Sequence, residues 1–254
     1  MRFEVLGFAG AAPLQGACPS YVVATDATTV LLDCGPGTLE RVWRRALLGR
    51  IDAIVVSHMH ADHVLDLVPF SGAVVREHLG GRRIALHVPA ANGPDVLARL
   101  DAAFAREPRA TTRFHETFDV TTYDATDRLT IGDLELTFAP TAHPPPCFAA
   151  RITDGDAVVV YGADGSASDD LAALAADADL LVLEATFATD EAAAAEYGHM
   201  TATQAGALAA RAGARRLLLT HLIAGVPEDE LLEQAGEAFP GPVDLAREGY
   251  ELAL

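Results

Sequence analysis

The stretch "VVSHMHADHVLDL", residues 55–67, places three histidines and an aspartate between two apolar runs. If the apolar run before it forms a buried strand, the two-residue period puts His58 and His60 on the same side of the chain. Asp62 and His63 follow where an apolar-periodic helix begins, so the four polar side chains can converge at the end of a strand. Imidazole and carboxylate are ligands of zinc, manganese and iron, and unpaired histidines in an apolar neighbourhood are costly without such a partner. The stretch therefore predicts a metal site, with a histidine-rich surface turn as the alternative.

In each of three later segments, a predicted strand is followed by a further candidate ligand. The segment "LTFAPTAHPPP" delivers His143 after an alternating strand, and the prolines behind it cannot continue a central ladder. "VVVYGADGS" delivers Asp164 in a glycine-flanked turn, and "LLLTHL" delivers His221 after an apolar strand. Each of these residues alone is typical of a core or loop position. Because all three stand in the same topological position as the first cluster, we interpret them as parts of one shared site, which disfavours the surface turn.

Short apolar and β-branched segments alternate with helix-like segments along the chain. Hairpins are predicted at residues 26–28 and 154–156, between apolar or alternating runs. The alanine-rich residues 172–176 favour a helix. Hairpins combined with strand–helix alternation predict sheets that pack against each other with helices outside, which is an α/β fold. No linker, repeat or low-complexity spacer interrupts the pattern, so we expect a single domain over residues 1–254.

Composition and charge restrict the possible partners. The chain has 254 residues, 50% of them hydrophobic, and 18 basic residues against 36 acidic ones give a net charge of −18. Proteins hold nucleic-acid backbones through arrays of lysine and arginine, so long RNA or DNA partners are disfavoured. No apolar run approaches the roughly 20 residues of a membrane helix and no signal-peptide pattern is present, so we expect a cytoplasmic protein without membrane contact. Cys18, Cys34 and Cys147 are widely spaced, and we interpret them as buried free thiols.

The histidine-rich motif and the ordered later residues resemble those of the metallo-β-lactamase superfamily, from "LLDCGPG" through "SHMHADH" to "LLLTHL". The resemblance implies a four-layer αββα sandwich with two divalent metal ions in a cleft at one edge of the sheets. It implies that one metal is held by His58, His60 and His143, that the other is held by Asp62, His63 and His221, and that Asp164 bridges both. Zinc is the first candidate, and manganese or iron suit the same ligands. Two cations about 3.5–4 Å apart can share a hydroxide that is available at neutral pH, which implies a hydrolase.

The segment "YGHMTATQAGALAARAG" indicates a branch of that superfamily. Thr201 and Gln204 are spaced as a capping box, which places His199 just before a helix N-terminus, where anions are favoured. The arrangement resembles the ribonuclease Z-like phosphodiesterases, in which a histidine of this motif assists catalysis and an acidic residue orients it; Glu184 in "LVLEATF" matches that acid. The candidate catalytic residues are therefore Asp62, Glu184 and His199. As alternatives, His199 caps the helix or faces solvent, and Glu184 supports a metal ligand or caps a helix.

The chain departs from ribonuclease Z between His143 and Asp164. Those enzymes carry an arm for transfer RNA there, whereas only twenty residues separate the two positions here, enough for a hairpin. The phrases "HPPPCFAARI" and "GHMTATQA" are closer to small bacterial metal-dependent hydrolases and cyclic-nucleotide phosphodiesterases of the same branch. We therefore expect hydrolysis of a small phosphodiester, with pocket walls from residues 70–120 and, by resemblance, a homodimer. The alternatives are a thioester or lactone hydrolase and a non-catalytic metal-dependent binding protein.

Two further features are open to more than one interpretation. Asp33 in "LLDCGPG" either orients a ligand histidine, as metal sites commonly need, or stabilises a turn. Gly7 and Gly10 follow a strand in "LGFAGAAP", but the third glycine and the downstream acid of a dinucleotide-binding fingerprint are missing. We interpret these glycines as a turn at the edge of a sheet.

Overall fold

The computed structural model describes residues 1–104 and 113–254, and the strands of these residues form two seven-stranded sheets. The first sheet has the order β14 (Glu251–Ala253), β1 (Arg2–Gly7), β2 (Ser20–Ala24), β3 (Thr29–Leu32), β4 (Ala53–Val55), β5 (Ile84–Pro89) and β6 (Phe118–Tyr123). The second has the order β13 (Val243–Leu245), β12 (Leu217–Thr220), β11 (Leu180–Glu184), β10 (Val158–Tyr161), β9 (Phe148–Thr153), β8 (Leu134–Pro140) and β7 (Arg128–Ile131). Each sheet is mixed, with an antiparallel part and a parallel part.

The direction of the strands decides where the loops meet. Strands β3 to β6 are parallel neighbours in the first sheet, and β10 to β13 are parallel neighbours in the second. Strand β8 runs in the same direction as β10, because each is antiparallel to β9. The carboxyl ends of these strands therefore line one edge of each sheet, where side chains from different strands can meet.

The sequence pattern explains which strands lie in the middle. Strands β2, β3, β11 and β12 are buried along their whole length, as expected of apolar runs covered on both faces. Strands β6 and β7, each at the end of its sheet, mix buried and exposed positions. Both predicted hairpins are confirmed: β2 pairs antiparallel with β3 around residues 25–28, and β9 with β10 around residues 154–157.

Helices cover the outer faces of both sheets. In the described residues they are α1 (Thr38–Arg44), α2 (Ala61–Val64), α3 (Leu67–Phe70), α4 (Ala73–His78), α5 (Gly93–Phe104), α6 (Arg113–Thr117), α7 (Asp169–Leu174), α8 (Glu191–Tyr197), α9 (Ala202–Ala212) and α10 (Glu228–Ala238). One apolar cluster joins the first sheet, through Leu31 and Ile54, to α1 to α6. A second cluster fills the space between the sheets, with Phe3 and Leu136, and continues to Leu231 on α10. This is the predicted four-layer αββα sandwich, and the fold prediction is confirmed.

The structure corrects one element and confirms another prediction. Helix α7 ends at Leu174, so the first three of residues 172–176 are helical, as predicted, and the last two lie in a turn. The chain turns there because it must enter β11, and Asp177 takes a left-handed conformation with φ of 54°. All three cysteines are free and buried, as predicted. Within residues 1–104 and 113–254, none of the helices has the length and hydrophobicity of a membrane span.

Candidate metal centre

The carboxyl ends of the strands bring the seven predicted metal ligands together. Strand β4 leads into His58 and the start of α2, which carry four of them, and β8, β10 and β12 lead into the other three. Six of the seven are buried and His60 is half-buried. His221 holds a left-handed backbone conformation, with φ of 53°, which is uncommon for residues other than glycine and recurs at functional sites.

Four of the residues form a first cluster: His58, His60, His143 and Asp164. Their candidate ligand atoms all lie within 4.8 Å of one another. The Nε2 atom of His143 is 3.1 Å from Nδ1 of His60, and Nε2 of His58 is 3.7 Å from Oδ2 of Asp164. The second nitrogen of His143 is held by the carbonyl oxygen of Gly198 at 2.8 Å, which leaves Nε2 facing the cluster.

The remaining three residues, Asp62, His63 and His221, form a second cluster on the same distance criterion. Oδ2 of Asp62 lies 3.6 Å from Nε2 of His63 and 3.3 Å from Nε2 of His221. Asp164 connects the two clusters, since its Oδ2 is also 3.4 Å from Nε2 of His63 and 3.2 Å from Nε2 of His221. The seven side chains thus form two adjacent groups with Asp164 between them, and Asp164 and His221 form a third group with His199 on the same distance criterion.

The donor atoms fit a divalent cation. The Nε2 atoms of His58 and His63 are buried and have no hydrogen-bond partner, although buried polar atoms are normally satisfied. Both atoms point toward Asp164, one from each cluster. Imidazole nitrogens with carboxylate oxygens are the donor set of zinc, manganese and iron sites. A bound cation in each cluster would satisfy these two nitrogens.

Burial and the carboxylates act in opposite directions on the charges of the clusters. Burial opposes a charge on His63, but the carboxylates of Asp164 and Asp33 outweigh it and raise the pKa of His63 well above its usual value. Burial also opposes the charge on Asp164, yet His221 and His63 hold the pKa of Asp164 well below its usual value. Burial lowers the pKa of His58, with the neighbouring charge of His63 adding to the effect. The carboxylates therefore stabilise positive charge beside His63 and His221, whereas burial favours the neutral ring of His58, the form in which an imidazole binds a metal.

Asp33 orients a histidine, which is the first of the two interpretations offered by the sequence. It follows β3, is fully buried, and its Oδ2 is 2.7 Å from Nδ1 of His63. Its Oδ1 accepts the backbone N–H of Ser57 at 2.7 Å, and its Oδ2 also accepts the hydroxyl of Ser57 at 2.8 Å. An outer carboxylate of this kind fixes the ring orientation and tautomer of a metal ligand.

The pair Glu184 and His199 lies next to both clusters. Glu184 ends β11 and is fully buried, and its Oε1 is 2.8 Å from Nδ1 of His199. The predicted capping box of Thr201 and Gln204 is present at the start of α9, so His199 stands directly before that helix. His199 also faces the ring of His221, with the ring centroids 5.3 Å apart. The alternative that His199 faces solvent is excluded by these contacts.

Three further residues contact the clusters and were not predicted to do so, although Gly10 was interpreted as a turn residue. Thr186 lies between Oε2 of Glu184, at 2.6 Å, and Nδ1 of His221, at 2.9 Å. The backbone N–H of Ala11 donates to Oδ2 of Asp62 at 2.8 Å. Gly10 packs against the His221 ring so closely that an added Cβ would lie 2.6 Å from Nδ1. The small residues of "GFAGAA" were the available signal, since only a short side chain permits this approach.

The predicted pocket walls fall partly outside the described residues, because residues 105–112 are not among them. A cavity of about 780 Å³ lies between α1, α3 and α4, lined by residues that include Trp43, Asp66, Val74 and His78. None of the seven clustered residues lines this cavity. The prediction that residues 70–120 wall the substrate pocket therefore stays a prediction.

Comparison with known proteins gives consistent relatives. The family model described as the β-lactamase superfamily domain matches residues 28–222. The probable metallo-hydrolase YhfI of Bacillus subtilis (strain 168) is 34% identical over 252 residues, which cover 98% of each chain. Ribonuclease Z of Haloarcula marismortui is 31% identical over an alignment of 299 positions, which covers 99% of this chain and 96% of the relative.

Solved structures support the same assignment. The crystal structure of YhfI, described as a metallo-β-lactamase fold protein, has a TM-score of 0.86 at 29% identity and covers 99% of this chain and 98% of its own. A diphosphatase of the PhnP family has a TM-score of 0.77 at 22% identity, covering 100% and 97%, and shows the fold alone. The resemblance to ribonuclease Z-like proteins is thereby confirmed. The chain belongs to the metallo-β-lactamase superfamily and is a metal-dependent hydrolase.

Proposed function

We propose that this hydrolase is a dinuclear phosphodiesterase for small phosphodiesters, with cyclic nucleotides as the first substrates to test. In this proposal one metal is held by His58, His60 and His143, the other by Asp62, His63 and His221, and Asp164 lies between them. The observation that supports a phosphodiesterase is the Glu184–His199 pair beside these clusters. Two divalent ions there would make hydroxide available at neutral pH and neutralise charge on the phosphoryl group.

In the proposed reaction His199 gives the leaving oxygen its proton. Glu184 holds Nδ1 of His199, so Nε2 is the nitrogen that remains to exchange a proton. Glu184 is itself fixed, because its Oε1 also accepts the backbone N–H of Gly165 at 2.6 Å. A buried carboxylate on an imidazole nitrogen sets the tautomer and the orientation of the ring. Hydrolysis of a phosphodiester releases an alkoxide, whereas hydrolysis of a thioester releases a thiolate. Because a thiol is much more acidic than an alcohol, the alkoxide needs a proton donor more than the thiolate does, and this favours phosphodiesters over thioesters.

The short connection between the ligands supports a small substrate. The twenty residues between His143 and Asp164 contain the β9–β10 hairpin, which begins at Phe148 and ends at Tyr161. The alignment with Haloarcula ribonuclease Z is longer than this chain, so that relative carries residues that this chain lacks. The net charge of −18 also disfavours a long phosphate backbone as substrate.

The experiment is hydrolysis of bis(p-nitrophenyl) phosphate and 3′,5′-cyclic AMP by protein loaded with zinc or manganese. Asp164→Ala is expected to abolish turnover and to lose metal, because it removes the carboxylate shared by both clusters. His199→Ala is expected to lower turnover by roughly 10²–10⁴-fold with metal content intact. Metal content is measured on the same samples by plasma mass spectrometry.

The possible outcomes separate the parts of the proposal. Full activity in Asp164→Ala would contradict the assignment of the shared ligand. Loss of one metal in His199→Ala would make His199 a ligand rather than a proton donor. No turnover of either phosphodiester with two metals bound would favour a thioester or lactone hydrolase and would leave His199 without its proposed role.

A further inference from the structure

Tyr161 makes a hydrogen bond that crosses from one sheet to the other behind the metal centre. It is the last residue of β10 in the second sheet and is 3% exposed. Its hydroxyl donates to Oδ2 of Asp33 at 2.7 Å, and Asp33 follows β3 in the first sheet. Its ring packs against Tyr21, with centroids 4.9 Å apart, so the hydroxyl is held in place by packing between the sheets.

The carboxylate that receives this bond holds histidines of both clusters. Oδ2 of Asp33 is 2.7 Å from Nδ1 of His63, which belongs to the second cluster. The Ser57 hydroxyl has one hydrogen, which it donates to Asp33, so its lone pair accepts from Nδ1 of His58 at 3.0 Å. His58 belongs to the first cluster. Asp33 therefore reaches one cluster directly and the other through Ser57.

The same contacts decide which nitrogen each ring presents to the centre. With Nδ1 engaged, His58 and His63 present Nε2, and these two atoms lie 3.7 Å and 3.4 Å from Oδ2 of Asp164. Asp164 stands three residues after Tyr161 on the same chain segment. The Tyr161 hydroxyl thus connects the segment that carries Asp164 to Asp33, which orients the histidines on the other side of the centre.

We propose that Tyr161 is a positioning residue. Its hydroxyl fixes Asp33 across the gap between the sheets, and this keeps the histidines of both clusters oriented toward Asp164. The proposal rests on the proposed metal binding of these clusters. Removal of the hydroxyl takes away the one of these four hydrogen bonds to Asp33 that comes from the second sheet, and this loosens the orientation of the carboxylate and of both rings. Outer-shell partners of metal ligands commonly contribute about 10–100-fold to metal affinity.

The test compares zinc affinity, by competition with a chromophoric chelator, in the wild-type protein, Tyr161→Phe and Tyr123→Phe. Tyr123 is the matched control: it is 1% exposed, and its hydroxyl donates to the backbone carbonyl of Val56 at 2.7 Å. Tyr161→Phe keeps the ring that packs on Tyr21, and circular dichroism and thermal unfolding with chelator present check its fold. We expect Tyr161→Phe to bind zinc at least about tenfold more weakly. We expect Tyr123→Phe to stay within about twofold of wild type, since its hydroxyl does not touch Asp33.

A double-mutant cycle with Asp33→Asn separates positioning from general stability. If Tyr161 acts through Asp33, its loss in the Asp33→Asn background has little further effect on zinc affinity, whereas independent effects would add. This arm measures the coupling even when the single variant is less stable. Wild-type affinity in Tyr161→Phe, equal losses in both tyrosine variants, or additive effects in the cycle would overturn the proposal. A wild-type protein that binds no metal would overturn the proposed function itself, which the other outcomes leave standing.

Discussion

Thr186 connects the proposed proton donor to the second ligand cluster. Its hydroxyl donates to Oε2 of Glu184 at 2.6 Å, so its lone pair accepts from Nδ1 of His221 at 2.9 Å. The other oxygen of Glu184 lies 2.8 Å from Nδ1 of His199. One buried carboxylate therefore sets the tautomers of His199 and, through Thr186, of His221.

Thr186→Val keeps the shape of the side chain and removes the hydroxyl, while Thr186→Ser keeps the hydroxyl. We expect the valine variant to bind metal roughly tenfold more weakly, because His221 loses the group that fixes its tautomer. It also leaves one oxygen of Glu184 unpaired, which costs about 1–3 kcal/mol of folding free energy. Chelator competition and urea unfolding measure the two effects. The serine variant should match wild type in affinity, and a valine variant that does so too would contradict this role.

The separation along the chain explains which site residues were predictable. His58 and His60 stand within a motif of six residues, and the period of the strand already places them on one side. Thr186 and Gly10 contact the second cluster at His221, which lies 35 or more residues away from each. Their roles depend on the exact register of the strands, which local sequence patterns do not encode.

At the scale of elements, α9 and α10 pack through a glycine. An added Cβ on Gly206 of α9 would lie 2.4 Å from the carbonyl oxygen of Ala235 on α10. Gly236, the next residue of α10, has nothing within 4 Å of the corresponding position. The two glycines therefore form a matched pair. The contact between the helices requires a glycine at Gly206, and it does not require one at Gly236.

Gly206→Ala is expected to destabilise the fold by about 1–3 kcal/mol, because the added methyl group forces the two helices apart. Gly236→Ala is expected to stabilise the fold by about 0.5–1 kcal/mol, since alanine is the better helix former at an open position. Urea unfolding gives both values. Equal changes in the free energy of unfolding for the two substitutions would contradict the role given to the close contact between α9 and α10.

Sequence patterns predicted the elements that carry a local signal. The capping box predicted the start of α9, whose 11 residues let an apolar face repeat, and turn residues between strands predicted the hairpins. The apolar-periodic helix expected from Asp62 and His63 is instead two short helices, α2 and α3, with 4 residues each. The three-residue strand β14 exists because it pairs with β1 at the other end of the chain. Such elements are set by tertiary contacts.

At the scale of the whole molecule, burial protects the thiols. Burial, together with the charges of Asp62 and Asp66, raises the pKa of the Cys18 thiol to about 12. Burial also raises the pKa of Cys34 and Cys147 well above the usual value. Because the thiolate is the reactive form, a raised pKa keeps these residues protonated and unreactive until pH approaches the raised value.

We expect folded protein to resist iodoacetamide at pH 8, and we expect three additions per chain once urea unfolds it. Labelling of the folded chain should increase as pH is raised, in step with the thiolate fraction, as long as the fold persists. Intact-protein mass spectrometry counts the additions. One rapid addition to the folded protein at pH 8 would show a cysteine that is more exposed than the structure indicates.

The charge of the whole molecule argues against a long RNA substrate even though ribonuclease Z is a relative. Binding to a phosphate backbone depends on lysines and arginines that can neutralise phosphates, and this chain has 18 of them against 36 acids. Several are already paired, such as Arg215 with Asp179 and Arg216 with Asp244. We therefore expect that, at physiological salt, a transfer-RNA precursor binds no more tightly than a typical nonspecific ligand, with a Kd of about 10⁻⁴–10⁻⁶ M or weaker. In the same preparation, hydrolysis of bis(p-nitrophenyl) phosphate should proceed, and a ribonuclease Z serves as the positive control for cleavage. Site-specific cleavage of the precursor at a rate near that of the control would contradict this expectation. It would show that neither the missing arm nor the excess of acidic residues prevents RNA recognition. The proposed substrate class would then have to include RNA.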